Sequence, residues 1–94
     1  MAEDLAASLG RPLELRDVEW NGIIPALQSG KIDAIISSMT RTPEREATIA
    51  FSDGYVTNGL GMLVAKDSAL QSVAALKPGV HNVAVKLATT GHQW

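Results

Sequence analysis

The chain has 94 residues, enough for one small domain or for parts of two lobes, and a chain this short has a marginal core. It is 46% hydrophobic and 19% charged, with net charge −2 and no cysteine. That excludes a disulfide framework, a thiolate metal site and a thiol nucleophile. Scattered Lys and Arg and few aromatics exclude a nucleic-acid footprint, and no apolar run approaches the roughly 18 residues of a membrane span.

Residues 2–9 carry Leu5, Ala6 and Leu9 at helical spacing, and Gly10 fits a helix stop. This acidic opening differs from the basic start and apolar stretch of a secretory signal, so no signal peptide is expected in this chain. Residues 13–18 alternate apolar and polar as a half-buried strand does. Asn21 is placed to cap a second helix running to Gly30, with Ile23, Ile24 and Leu27 inward and Pro25 in or near the first turn. Residues 32–37 are a nearly continuous apolar run, the pattern of a strand buried on both faces of a parallel sheet. Thr42-Pro43 reads as a cap followed by Pro at the first helical position. Residues 60–65 read as another strand, Ser72 as the cap of a short turn through Leu76 ended by Pro78-Gly79, and residues 82–87 as the last strand, followed by a polar turn at Thr89-Thr90-Gly91. Strands alternating with helices predict an α/β fold with a mainly parallel sheet. Ligands of such sheets sit beyond the carboxyl ends of the strands, where two polar turns fall: residues 37–40 and 88–91.

The densest chemistry lies between Asp33 and Arg45. A strand ends, the hydroxyls of Ser37, Ser38 and Thr40 follow, and a capped helix starts with Arg45 in its first turn. N–H groups at a helix start favour an anion, and a guanidinium beside them can grip a carboxylate through two parallel hydrogen bonds. On pattern alone, a solvated helix charge paired with a neighbouring Glu is the commoner arrangement. The two histidines, His81 and His92, have no carboxylate or serine pattern suggesting a triad, and no glycine-rich phosphate loop is present. The chain is therefore expected to be no enzyme and to need no cofactor or metal.

The run Trp20-Asn21-Gly22-Ile23-Ile24-Pro25-Ala26-Leu27, continuing to Gly30-Lys31-Ile32-Asp33-Ala34-Ile35-Ile36, resembles the polar-amino-acid family of solute-binding proteins that serve ABC transporters. Thr40-Arg41-Thr42-Pro43-Glu44-Arg45 and Phe51-Ser52-Asp53-Gly54-Tyr55 continue the match in order, as do Val83-Ala84-Val85 and Thr89-Thr90-Gly91. The resemblance implies a periplasmic-binding-protein-like (type II) fold, an amino acid as ligand, ABC transporter membrane subunits as partners, and a periplasmic or extracytoplasmic location. It also implies roles. Arg45 resembles the carboxylate-binding arginine, and Thr40 the residue whose N–H and hydroxyl help it. Ser38, beside Ser37, resembles the contact for the ligand's ammonium. Trp20 resembles the residue lying against the ligand's side chain, although one aromatic at a strand end is often core. Thr89 and Thr90 resemble the turn of the opposite lobe that closes over the carboxylate.

Measured against the family, the chain opens inside the first helix and stops early in the second lobe. It is expected to comprise partial lobes, a first over residues 1–57 and a second over 58–94. Ala88 stands where the family has Gly, which restricts that loop. Exposed sheet edges are a state proteins avoid, so a homodimer is expected, exchanging segments across the hinge near Thr57-Asn58-Gly59. The alternative is a truncated or engineered structural fragment of the same fold that self-associates and binds little.

Overall fold

The computed structural model describes residues 1–77 and 79–93, and the chain forms two compact units, Met1–Val56 and Thr57–Trp94. In the first unit, helix α1 spans Ala2–Leu9 and ends on Gly10 at φ 63°. The Gly10 N–H donates to the Ala7 carbonyl at 3.1 Å and the Arg11 N–H to the Ala6 carbonyl at 3.0 Å. This is a Schellman closure, which needs a left-handed residue and therefore favours glycine. A 3₁₀ turn, Trp20–Gly22, leads into α2, Ile23–Gln28. Asn21 sits inside that turn; it does not cap the helix, and the N-cap is Gly22 with no side-chain bond. The second helix ends as the first does. Gly30 adopts φ 76°, with Lys31 N–H to Ala26 O at 3.0 Å and Gly30 N–H to Leu27 O at 3.2 Å.

Helix α3, Pro43–Glu46, starts as its sequence predicts, with Thr42 in extended backbone as N-cap and Pro at the first position. The Thr42 hydroxyl accepts the Arg45 N–H at 3.3 Å, satisfying a donor the helix start leaves open. Among the described residues the buried apolar side chains are Ile23 and Ala26, each 8% exposed, and Arg45 is buried with them at 6%. Ile24 and Leu27 are half-buried. The apolar stripe of α1 is not covered: Leu5 and Leu9 are 44% and 65% exposed.

The expected strands are where sequence and structure part. Residues 13–18, 32–37, 60–65 and 82–87 do not form strands, and the described residues contain no β-ladder. The mainly parallel sheet is therefore not formed among them. A helix closes its hydrogen bonds within itself, whereas a strand needs a neighbour about 4.8 Å away, and one buried on both faces needs neighbours on both sides. Apolar alternation reports the preference of a segment, not the presence of its partner. The first two segments do approach: Arg16 Nη1–H donates to the Lys31 carbonyl at 3.3 Å. Leu13, Leu15, Ile32 and Ile36 line one hollow with Leu5 and Leu9.

In the second unit, a 3₁₀ turn covers Val73–Ala75, with Ser72 as an N-cap lacking a side-chain bond. Of the predicted Pro78-Gly79 stop, Pro78 lies outside the described residues, and Gly79 has φ 77°. Helix α4 spans Thr90–Gln93, so the polar turn expected at residues 89–91 is largely the start of a helix. Thr89 supplies the cap, its hydroxyl accepting the His92 N–H at 3.3 Å and donating to the Lys86 carbonyl at 2.7 Å. Both histidines serve local backbone: Lys77 N–H donates to His81 Nδ1 at 2.9 Å and Ala88 N–H to His92 Nδ1 at 3.4 Å. Among the described residues, no helix is long and apolar enough to cross a membrane.

Candidate ligand site

Three of the seven residues singled out from the sequence meet in the first unit. Thr42 and Pro43 fix the start of α3, which sets Arg45 at its third position, and the backbone of Arg45 is held at both ends. Its N–H goes to the Thr42 hydroxyl. Its carbonyl accepts Thr48 N–H, Ile49 N–H and the Thr48 hydroxyl, each at 3.0 Å. The side chain turns back along the preceding segment, where Nη1–H donates to the Thr40 carbonyl at 2.9 Å. The guanidinium carbon lies 6.0 Å from the centroid of the Trp20 ring, within the range of a cation–π contact. Trp20 is half-buried and enters from the 3₁₀ turn ahead of α2.

The arrangement joins a buried planar cation, a carbonyl that orients it and an aromatic face. An anion meeting such a guanidinium is screened less than one at the surface, and the planar fork of a guanidinium matches the geometry of a carboxylate. One expected contribution is already committed: the Arg45 N–H, in the first turn of α3, is taken by the Thr42 cap.

Ser37 and Ser38 are exposed, and Ser37 lines the apolar hollow of α1. Ser38 adopts φ 51°, a left-handed conformation unusual outside glycine. Thr40 is exposed as a residue, and its carbonyl is the atom that meets Arg45. Thr89 and Thr90 lie in the second unit, both half-buried. Ala88, just before them, has φ 62°, which accounts for the glycine expected there by resemblance.

Pattern reading passed over Arg41 and Glu46. Arg41 Nε–H donates to Glu46 Oε1 across the start of α3. The signal was present in the sequence as opposite charges bracketing a Thr-Pro cap, although such charges five residues apart are not a standard helical pair. Among the described residues, no group of three or more His, Asp or Glu side chains could hold a metal ion.

Residues 1–90 match the bacterial extracellular solute-binding proteins, family 3, and the chain belongs to that family. It is 44% identical over 78 residues to a glutamine-binding protein of Geobacillus stearothermophilus, covering 83% of this chain and 30% of that protein. It is 40% identical over 77 residues to the arginine-binding extracellular protein ArtP of Bacillus subtilis (strain 168), covering 82% of this chain and 30% of the relative. With the L-cystine-binding protein TcyJ of Escherichia coli (strain K12), it shares 32% identity over 95 aligned positions, covering 99% of this chain and 35% of the relative. The chain thus spans about a third of the length of these three relatives. No solved structure matches it. The type II periplasmic-binding-protein fold is the one this family implies, and a family of solute-binding proteins fits a chain that is not an enzyme.

Proposed function

We infer that this chain is the part of an extracytoplasmic amino-acid-binding protein that grips the ligand's α-carboxylate, in a system that feeds an ABC transporter. The observation that carries the reading is Arg45: 6% exposed, bonded to the Thr40 carbonyl and beside the Trp20 ring. A surface helix charge paired with a neighbour would be exposed and would need no aromatic wall. In this reading Arg45 forks onto the carboxylate and the Thr40 backbone helps it. Ser38, with Ser37, meets the ammonium, and Trp20 lies against the variable side chain. For Thr89 and Thr90 as further carboxylate contacts, the support is the family resemblance together with their half-buried position. The relatives named for glutamine, arginine and cystine support an amino acid as ligand and leave its side chain open. In the complete fold, the apolar segments at 13–18 and 32–37 would be strands of a mainly parallel sheet.

Titration against a panel of amino acids tests this. Arg45→Ala removes one partner of a desolvated charge pair, at a cost of roughly 2–5 kcal/mol, and binding should fall below detection. Arg45→Lys should rescue it poorly, since an ammonium lacks the planar fork. Trp20→Ala should weaken binding less and unevenly across the panel. Equal binding by wild type and Arg45→Ala would sink the assignment. A wild type that binds no amino acid at millimolar concentration by NMR would favour the second reading, a self-associating structural fragment with little binding. The exposed apolar stripe of α1 and the unladdered apolar segments are what favour that reading.

A further inference from the structure

We propose that Arg41 is a positioning residue for Arg45, acting through Glu46; the consequence for binding rests on the carboxylate reading above. Thr40, whose carbonyl aims the Arg45 guanidinium, belongs to no helix or strand. The cap at Thr42 fixes the backbone from that residue onward, through the Arg45 N–H on its hydroxyl and the Glu46 N–H on its carbonyl at 2.9 Å. Neither bond reaches back to Thr40. Arg41 does, since it is the next residue and its Nε–H is bonded to the Glu46 carboxylate. Two links of equal span therefore lie side by side. One joins Thr40 to Arg45 and is buried on its Arg45 side; the other joins Arg41 to Glu46, with side chains 57% and 37% exposed. The outer link holds the segment against α3, and the inner one then meets its carbonyl at hydrogen-bond distance.

A second effect has the same sign. Glu46 is the residue next to Arg45, and its negative charge opposes an incoming carboxylate. Arg41 neutralises it through the bond of its Nε–H to the Glu46 carboxylate. An exposed ion pair of this kind contributes little to folding, so its consequence is expected in the order of the guanidinium and in affinity.

The test compares wild type, Arg41→Ala, Arg41→Gln, Glu46→Ala and the exchanged pair Arg41→Glu/Glu46→Arg by NMR. In the ligand-free protein, guanidinium rotation at Arg45 should speed up in all three single variants and return toward wild type in the exchanged pair. The amide spectrum of α1 and α2 should stay unchanged. With L-glutamine as probe, the single variants should bind about two- to fivefold more weakly, the range an exposed pair supports, and the exchanged pair should recover. Unchanged Arg45 rotation in the single variants overturns the inference, as does an exchanged pair that restores nothing. Collapse of the amide spectrum in Arg41→Gln assigns the pair to folding and overturns it equally. A wild type that does not bind L-glutamine counts against this probe and the carboxylate reading, while the ligand-free arginine signals still decide the role of Arg41.

Discussion

Backbone strain marks the two turns that the sequence had singled out. Ser38 at φ 51° and Ala88 at φ 62° are the two non-glycine residues with positive φ among the described residues, and each lies in a polar turn following an apolar segment. A left-handed L-residue costs roughly 1–2 kcal/mol, and such outliers persist where surrounding structure over-determines them. Ala88→Gly removes the clash of its Cβ while slightly loosening the unfolded chain. We expect a net stabilisation of about 0.5–1 kcal/mol, read as a higher midpoint in urea with an unchanged slope. A lower midpoint would mean that the left-handed turn is not kept in solution. The need for positive φ at position 88 was legible only through the resemblance, which places a glycine there. At Ser38 nothing in the sequence announced it, because φ is set by how the chain must leave residues 32–37 and reach the Thr42 cap. The pairing of Arg45 with Thr40 was legible as two roles, and the contact with Trp20 was not: twenty-five positions separate them, and no local pattern reports a contact of that range.

At the scale of elements, what sequence could reveal was what closes on itself. Helix α1 with its Gly10 stop, and the Thr42 cap with Pro43 behind it, depend on bonds spanning three to five residues, and the structure has them. The cap is the element on which the proposed ligand site depends, since it holds the Arg45 backbone. Thr42→Ala should cost about 1 kcal/mol of stability, and amide exchange at Arg45 should accelerate more than at Ile23 or Ala26. Thr42→Ser, which keeps the acceptor oxygen, should restore both. Equal acceleration along the whole first unit would show that the cap acts on folding in general and does not hold Arg45 locally. Gly30→Ala makes the complementary case at the end of α2. Its φ of 76° closes that helix, and a Cβ there should cost roughly 1–2 kcal/mol. The apolar runs at 13–18 and 32–37 differ from these elements in one respect: their preferred partners are not neighbours in sequence, so alternation could signal strands without securing a ladder.

For the whole molecule, the deciding quantity is uncovered apolar surface. Buried apolar side chains in the described residues reduce to Ile23 and Ala26, while Leu15 is 78% exposed, Val56 72% and Leu63 98%. Singly exposed leucines are ordinary, but Leu5, Leu9, Leu13 and Leu15 share one hollow with Ile32 and Ile36, and contiguous patches of this kind mark interaction surfaces. The segments around that hollow also have backbone groups outside any ladder, the condition that invites strand pairing between chains. A chain of this sequence alone in solution should therefore self-associate, with a dimer by segment exchange as the expected form. Light scattering behind size exclusion at micromolar concentration should give about twice the mass of one chain. Amides of residues 32–37 should become protected from exchange as concentration rises, because pairing supplies the neighbour they lack. Leu15→Lys, at an exposed position of the hollow, should shift the population toward monomer and remove that protection together. A stable monodisperse monomer would defeat the proposal. So would association that leaves residues 32–37 exchanging freely, because the chains would then meet without forming the pairing that the apolar pattern of those residues prefers.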